Sequence, residues 1–391
     1  MERGRNGPMK DWRSIPVRML ATTPAGDVPI GVGASGRALP GPSQAGRTLT
    51  YGAYLEAVRR FLLRRSGANL DAALRAHLGR PVALEEIARI DIRSEKHGAF
   101  YHVARVDVHL QEITVSFAVN VAAGELAQLT LRQEYRLLRR LARRTLSSHL
   151  PRLYRQGKIS HGGRHGEALE LCLAVGEWFP DYHEFHLGRM AGEDRVRLLL
   201  WDSTTGHRAL DEFQTSSIYR QAAAILTEYY DWQSFRQIYP WHHGAGDFVA
   251  RVQGDEVGVR LITVRDYASV VGYRTRKMAG KMLALVLFFL HLTIQMRLDR
   301  IDGVGELAWA GGVILEDVTR GFFEALSGEG GAPSPPALRE VLSLFSEDEW
   351  RHLLAEVAGC YTFSPEELEL IHRHGEMHLQ QLARILRASP G

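Results

Sequence analysis

Residues 87–121 read IARIDIRSEKHGAFYHVARVDVHLQEITVSFAVNV, and the reading of the rest of the chain depends on how this run alternates. Apolar side chains recur at every second position in IARIDIRS, FYHVARVDVHL and ITVSFAVNVA, with EKHG and QE between the segments. A period of two sends successive side chains to opposite faces of a sheet, so three antiparallel strands are expected. Downstream, LAQLTLRQEYRLLRRLARRTL changes period: Leu131, Tyr135, Leu138 and Leu141 share one helical face, and Pro151 follows. EALELCLAVGEWF then returns to strand character. Strands, helix and strand predict a small mixed lobe over residues 85–180.

Upstream, TYGAYLEAVRRFLLRR places Tyr54, Val58, Phe61 and Leu62 at helical spacing, with Arg59, Arg60, Arg64 and Arg65 on the other face. This predicts a helical extension over residues 49–84. Residues 1–48, with runs such as PIGVGASGRALPGPSQAGR, are rich in Gly, Pro, Ser and Arg and show no periodicity. Such a segment offers little apolar area to offset chain entropy, so a disordered arm is expected there.

Over 391 residues the chain is 45% apolar and 24% charged, ordinary values for a folded protein with ample core. A net charge of +3 is too small to mark a dedicated nucleic-acid binder, and no nucleic-acid partner is expected. Cys172 and Cys360 both lie in apolar surroundings, which suits free thiols in a reducing compartment. With no signal-like apolar core near the N-terminus, a cytoplasmic location is expected. The most apolar run, MLALVLFFLHLTIQM over residues 282–296, contains His291 and is flanked by Lys281 and Arg297. It falls short of the roughly 20 residues that cross a bilayer, so a buried core helix rather than a membrane span is expected.

The second half, residues 181–391, reads as mainly helical, through SSIYRQAAAILTEYY, the apolar run and GVILEDVTRGFFEAL. SGEGGAPSPP over residues 327–336 reads as a surface loop, and two capping boxes follow, Ser346 with Glu349 and Ser364 with Glu367. Within this half, QIYPWHHGAGDFVARV, residues 237–252, gathers two imidazoles and a carboxylate at a glycine-rich break before two short strands, FVARVQ and VGVRLITV. Two readings of Asp247 stand: a general base within reach of a hydroxyl proton, or a turn aspartate after glycine. Asp266, in LITVRDY, reads on its own as a salt-bridged loop residue. His242, His243 and Asp247 could also form a transition-metal set, although adjacent residues in an extended segment point apart. His374 and His378, four apart, share a helical face that reads as solvated.

This order of elements, with RQEYRLLRRLARR, LCLAVGEWF, HHGAGD and LITVRDY in sequence, resembles the protein-kinase-like superfamily in its aminoglycoside and choline phosphotransferase branch. The resemblance covers residues 85–325 and implies an α+β fold of two lobes, a small antiparallel-sheet N-lobe and a mainly helical C-lobe. It implies ATP and Mg2+ in the cleft between them, and a hydroxyl-bearing acceptor on a small molecule or protein. By position it makes Asp247 the base, with His243 supporting its loop, Asp266 the metal ligand and Glu134 the helix glutamate, and it places Glu177 with Trp178 beside the adenine. The chain departs from the pattern where Asn120 stands for the phosphate lysine, Val252 for the loop asparagine and Ala245 for the loop histidine. Lys96, in the turn between the first two strands, could supply the missing phosphate charge. Phosphotransfer, and an inactive pseudokinase-like binding or scaffolding module, are both compatible with these residues.

Overall fold

In the computed structural model, residues 11–23, 26–31, 35–39, 49–98, 100–144, 149–161, 168–192, 195–202, 206–243, 246–273, 275–326 and 332–388 are described. The chain forms two compact units, one of residues 1–143 and 151–180, the other of residues 144–150 and 181–391. The fold is α+β.

The alternating run becomes β3 (Ile87–His97), β4 (His102–Leu110) and β5 (Thr114–Ala123), paired antiparallel in sequence order. They belong to a sheet of seven described strands that also contains β1 (Val17–Thr23), β2 (Gly26–Pro29), β6 (Leu153–His161) and β7 (Leu169–Glu177), in the order β2-β1-β3-β4-β5-β7-β6. One sheet face carries Ile90, Ile92, Val106, Val108, Val119, Val121 and Leu173, which pack in one cluster with Tyr54, Val58, Phe61 and Leu62 of helix α1 (Tyr51–Leu78). The opposite face carries Ala122, Cys172 and Ala174 beneath Ala127, Leu131 and Tyr135 of helix α2 (Glu125–Leu141). Beside α2 the same face holds charge instead of apolar groups. Asp91, fully buried, accepts from Arg18 Nε at 2.7 Å and pairs with His109 Nε2 at 2.8 Å, while Asp107 accepts from Ser116 Oγ at 2.6 Å. Burial pushes the Asp91 carboxyl upward, but Arg18 and His109 outweigh that and hold it well below the usual range.

Residues 11–23 correct the expectation of a disordered arm over 1–48. β1 runs parallel to β3, and Trp12, Ile15 and Leu20 are buried. α1 is not continuous: Arg64–Gly67 break the helical dihedrals, and Gly67 adopts φ +70° where a Cβ would lie 2.1 Å from the Trp12 indole. Only glycine lets the indole seat there.

The second unit begins with a sheet that the reading of a mainly helical half did not foresee: β8 (Glu184–Arg189), β9 (Val196–Asp202) and β10 (Gly206–Ala209), antiparallel in that order. Helix α3 (Glu212–Glu228) follows, then β11 (Arg236–Ile238), the hairpin β12 (Phe248–Gln253) and β13 (Glu256–Leu261), and β14 (Tyr267–Ser269), which pairs with β11. The apolar run forms α4 (Met278–Gln295), long and apolar enough to cross a membrane yet buried without interruption from Ala284 to Gln295. β15 (Leu298–Arg300) and β16 (Leu307–Trp309) form a short ladder, and α5 (Val313–Ala325) crosses α3. The crossing is tight, because a Cβ on Gly321 would fall 2.0 Å from the Arg220 carbonyl oxygen. Helices α6 (Pro335–Ser343), α7 (Glu347–Cys360) and α8 (Pro365–Arg387) complete the described chain, with both expected capping boxes formed. Of the expected loop at 327–336, residues 327–331 lie outside the described residues.

His378 corrects the solvated-face reading of α8. It is 1% exposed, with Nε2 3.1 Å from Thr293 Oγ1 and Nδ1 3.3 Å from Arg297 Nη1, while His374 stacks on Trp309.

Candidate functional site

The β12–β13 hairpin positions the residues that carry chemistry. Its register pairs Phe248 with Leu261, so the residues just outside it meet: the Ile262 N–H donates to the Asp247 carbonyl at 2.8 Å. The segment from Ile262 to Asp266 therefore lies against the loop that ends in Asp247. Asp247 is 1% exposed, and its Oδ2 accepts the His242 N–H at 2.8 Å and the Arg265 guanidinium. The carboxylate thus closes its own loop from within while holding a cation whose side chain remains 32% exposed. Asp266 is half-buried and accepts its neighbour's amide, Tyr267 N–H, at 2.7 Å. Both expected carboxylates stand at the open end of one hairpin. Arg251 and Arg260, on the facing strands, hold their guanidiniums over the Tyr182 ring at 5.7 and 5.3 Å. Gly244 and Ala245, the latter at the family's histidine position, lie outside the described residues.

The first unit holds the other expected residues. Lys96 is exposed at the end of β3, beside a register shift. Asn120 is half-buried in β5, and the alternation that sends Ala122 towards α2 puts Asn120 on that same face. Glu134 of α2 is 4% exposed and accepts the Tyr101 hydroxyl, a neutral donor where a lysine would bring charge. Glu177, at the end of β7, accepts Arg152 through its amide at 3.1 Å and its guanidinium at 3.2 and 3.3 Å, and Trp178 lies under the Arg105 guanidinium at 5.4 Å.

The histidine pair of the loop turns inward. Ligand-type atoms of His242, His243 and Asp299 lie within 4.8 Å of one another, so the adjacent imidazoles do converge, on an aspartate of β15 rather than on Asp247. The reason is local: His243 falls in a turn and not in an extended segment, so strand alternation does not apply. His243 is 1% exposed, with the Tyr219 and Phe185 rings edge-on at 5.5 and 6.2 Å, and neither ring nitrogen has a hydrogen-bond partner among the described residues. His186 of β8 is 5% exposed, and its Nε2 is 3.5 Å from Glu184 Oε2. Burial pushes the His242 imidazole down to about 4 and His243 well below the usual range, while it raises the Asp299 carboxyl to about 6. A buried polar atom left without a partner costs about 1–3 kcal/mol, which favours a ligand that engages these nitrogens. Neither Asp299 nor His186 belongs to any motif in the sequence, and only the convergence of β8, β15 and the loop brings them together.

No protein-family model matches the chain, and no curated protein does. Among solved structures, one named "Putative fructosamine-3-kinase" from Haemophilus somnus 129PT aligns over 82% of this chain and 96% of its own, at 9% identity and a TM-score of 0.24. At that score the likeness carries no argument about fold or activity.

Proposed function

We propose that the protein is a phosphotransferase of kinase-like fold, with Asp247 as the group that accepts the proton of an acceptor hydroxyl. The observation that supports this most is the hairpin whose open end sets the segment carrying Arg265 and Asp266 against the loop ending in Asp247, with Arg265 bound to that buried carboxylate. Arg265 neutralises Asp247 while the site is idle. A phosphate group offers the guanidinium a competing anion with matching bidentate geometry. Once Arg265 turns to it, Asp247 is freed to take a proton, and the cation stays where negative charge develops on the transferring group. His242 and His243 fix the loop, the first by donating its backbone N–H to Asp247.

The residues fit the family's cofactors only in part. Asp266, with one oxygen on a backbone amide, suits a hard cation such as Mg2+, which takes one or two carboxylates together with phosphate oxygens. Asn120 does not fit the lysine's task, because an amide brings no charge to a triphosphate. The same two facts, Asn120 and a carboxylate already closed by Arg265, favour a second reading in which the protein binds a phosphorylated ligand without turnover.

Thermal shift with ATP, with and without Mg2+, tests the proposal. Binding to the native state raises the melting temperature, by a stabilisation that grows with the logarithm of ligand over Kd. The expected result is a rise for wild type that shrinks in Arg265→Ala; no rise at millimolar ATP contradicts the proposal.

A further inference from the structure

We infer that His242, His243 and Asp299 form a binding site for a transition-metal ion of zinc's class. This site is separate from the Asp247 carboxylate and does not depend on the phosphotransfer reading.

Three observations carry it. The donor atoms of the three residues already lie within 4.8 Å of one another. Zinc bonds of about 2.0–2.2 Å in tetrahedral array put ligand atoms roughly 3.4 Å apart, so modest side-chain rotation closes the shell. Next, the donors lack alternative employment: among the described residues, both His243 nitrogens and His242 Nδ1 are buried without a hydrogen-bond partner. Finally, Asp299 is fully buried and, among the described residues, no lysine or arginine pairs with it. What it does have is two backbone donors, Leu187 N–H on Oδ2 and Arg300 N–H on Oδ1, each at 2.7 Å. These fix the carboxylate's direction in the way outer hydrogen bonds orient a metal-bound carboxylate, while leaving lone pairs for an ion.

Two imidazoles and a carboxylate, borderline donors, suit Zn2+ better than Mg2+ or Ca2+, which take oxygen shells. A cation there would satisfy the orphaned nitrogens and compensate the buried carboxylate together. It would also tie β8, β15 and the loop ending at Asp247 to one point.

The test uses the full chain, stripped with EDTA and then given Zn2+ or Co2+ alone. One Zn2+ per chain should survive desalting and raise the melting temperature, and Co2+ should give the visible absorption of a tetrahedral site, lost on adding Zn2+. Asp299→Asn and His243→Ala should each lower Zn2+ affinity at least tenfold, while the exposed pair His352→Ala/His372→Ala should leave it unchanged. If the His243 variant fails to fold, Asp299→Asn, which keeps the volume, and the Co2+ spectrum of wild type decide. Failure of wild type to retain Zn2+, or its loss in the His352/His372 variant only, overturns the inference. Nucleotide binding is read separately, so either conclusion can fail alone.

Discussion

Asp247 shows how much of a residue's environment its position in the sequence leaves open. Its place before an alternating segment was legible, because glycine and histidine punctuate the chain there. Its engagement by Arg265 was not, since that contact depends on the hairpin register that returns Ile262 to Asp247. Arg265→Ala should leave a 1%-exposed carboxylate without its cation and cost about 3 kcal/mol in a urea titration. A loss under ~0.5 kcal/mol would show that the pair does not hold the loop. A second residue-scale expectation concerns pH. His291 lies flat on Tyr361, centroids 3.6 Å apart, and burial pushes its pKa down to about 3; His378 is likewise pushed to about 3 by burial and then by Arg297. Both stay neutral in the fold but titrate near 6.5 when unfolded. Because the folded values are depressed, their contribution is fully present above about pH 6.5 and is lost as the pH falls from there towards 3. Unfolding free energy should therefore decline across that window, and His291→Phe should flatten the slope by about 1.4 kcal/mol per pH unit. An unchanged slope in the variant would contradict a neutral His291.

At the scale of elements, burial on one face is what made strands readable. β3, β4 and β5 alternate because α1 covers one side of them, and they appear where the pattern put them. β6 was missed since it is an edge strand written LYRQGKISH, where charged and polar residues protect an open edge. β1 escaped notice because Gly- and Pro-rich sequence surrounds it and its burial is mostly through Leu20, with Trp12 and Ile15 ahead of it. Trp12→Ala should accordingly destabilise the fold by about 3–5 kcal/mol in chemical denaturation, as for other buried aromatics. A near-zero effect would restore the view of residues 1–48 as a loose arm. In the other unit, Gly321→Ala forces a methyl against backbone of α3 and should cost about 1–3 kcal/mol by overpacking. A variant as stable as wild type would mean that α3 and α5 separate freely.

For the molecule as a whole, the α+β class could be read from periodicity, whereas the β8–β10 sheet was missed although β9 reads VRLLLWD. The composition says little about function, so the proposed phosphotransfer rests on the hairpin and its two aspartates. The most direct measurement is 31P NMR of ATP incubated with the full chain, Mg2+ and a mixture of hydroxyl compounds, comparing wild type with Asp247→Asn. The substitution keeps size and removes the proton acceptor, so γ-phosphate transfer in wild type should fall by about 10²–10⁴ in the variant while nucleotide-induced stabilisation persists. An intact γ-phosphate with wild type, or equal transfer by Asp247→Asn, would contradict phosphotransfer at this site.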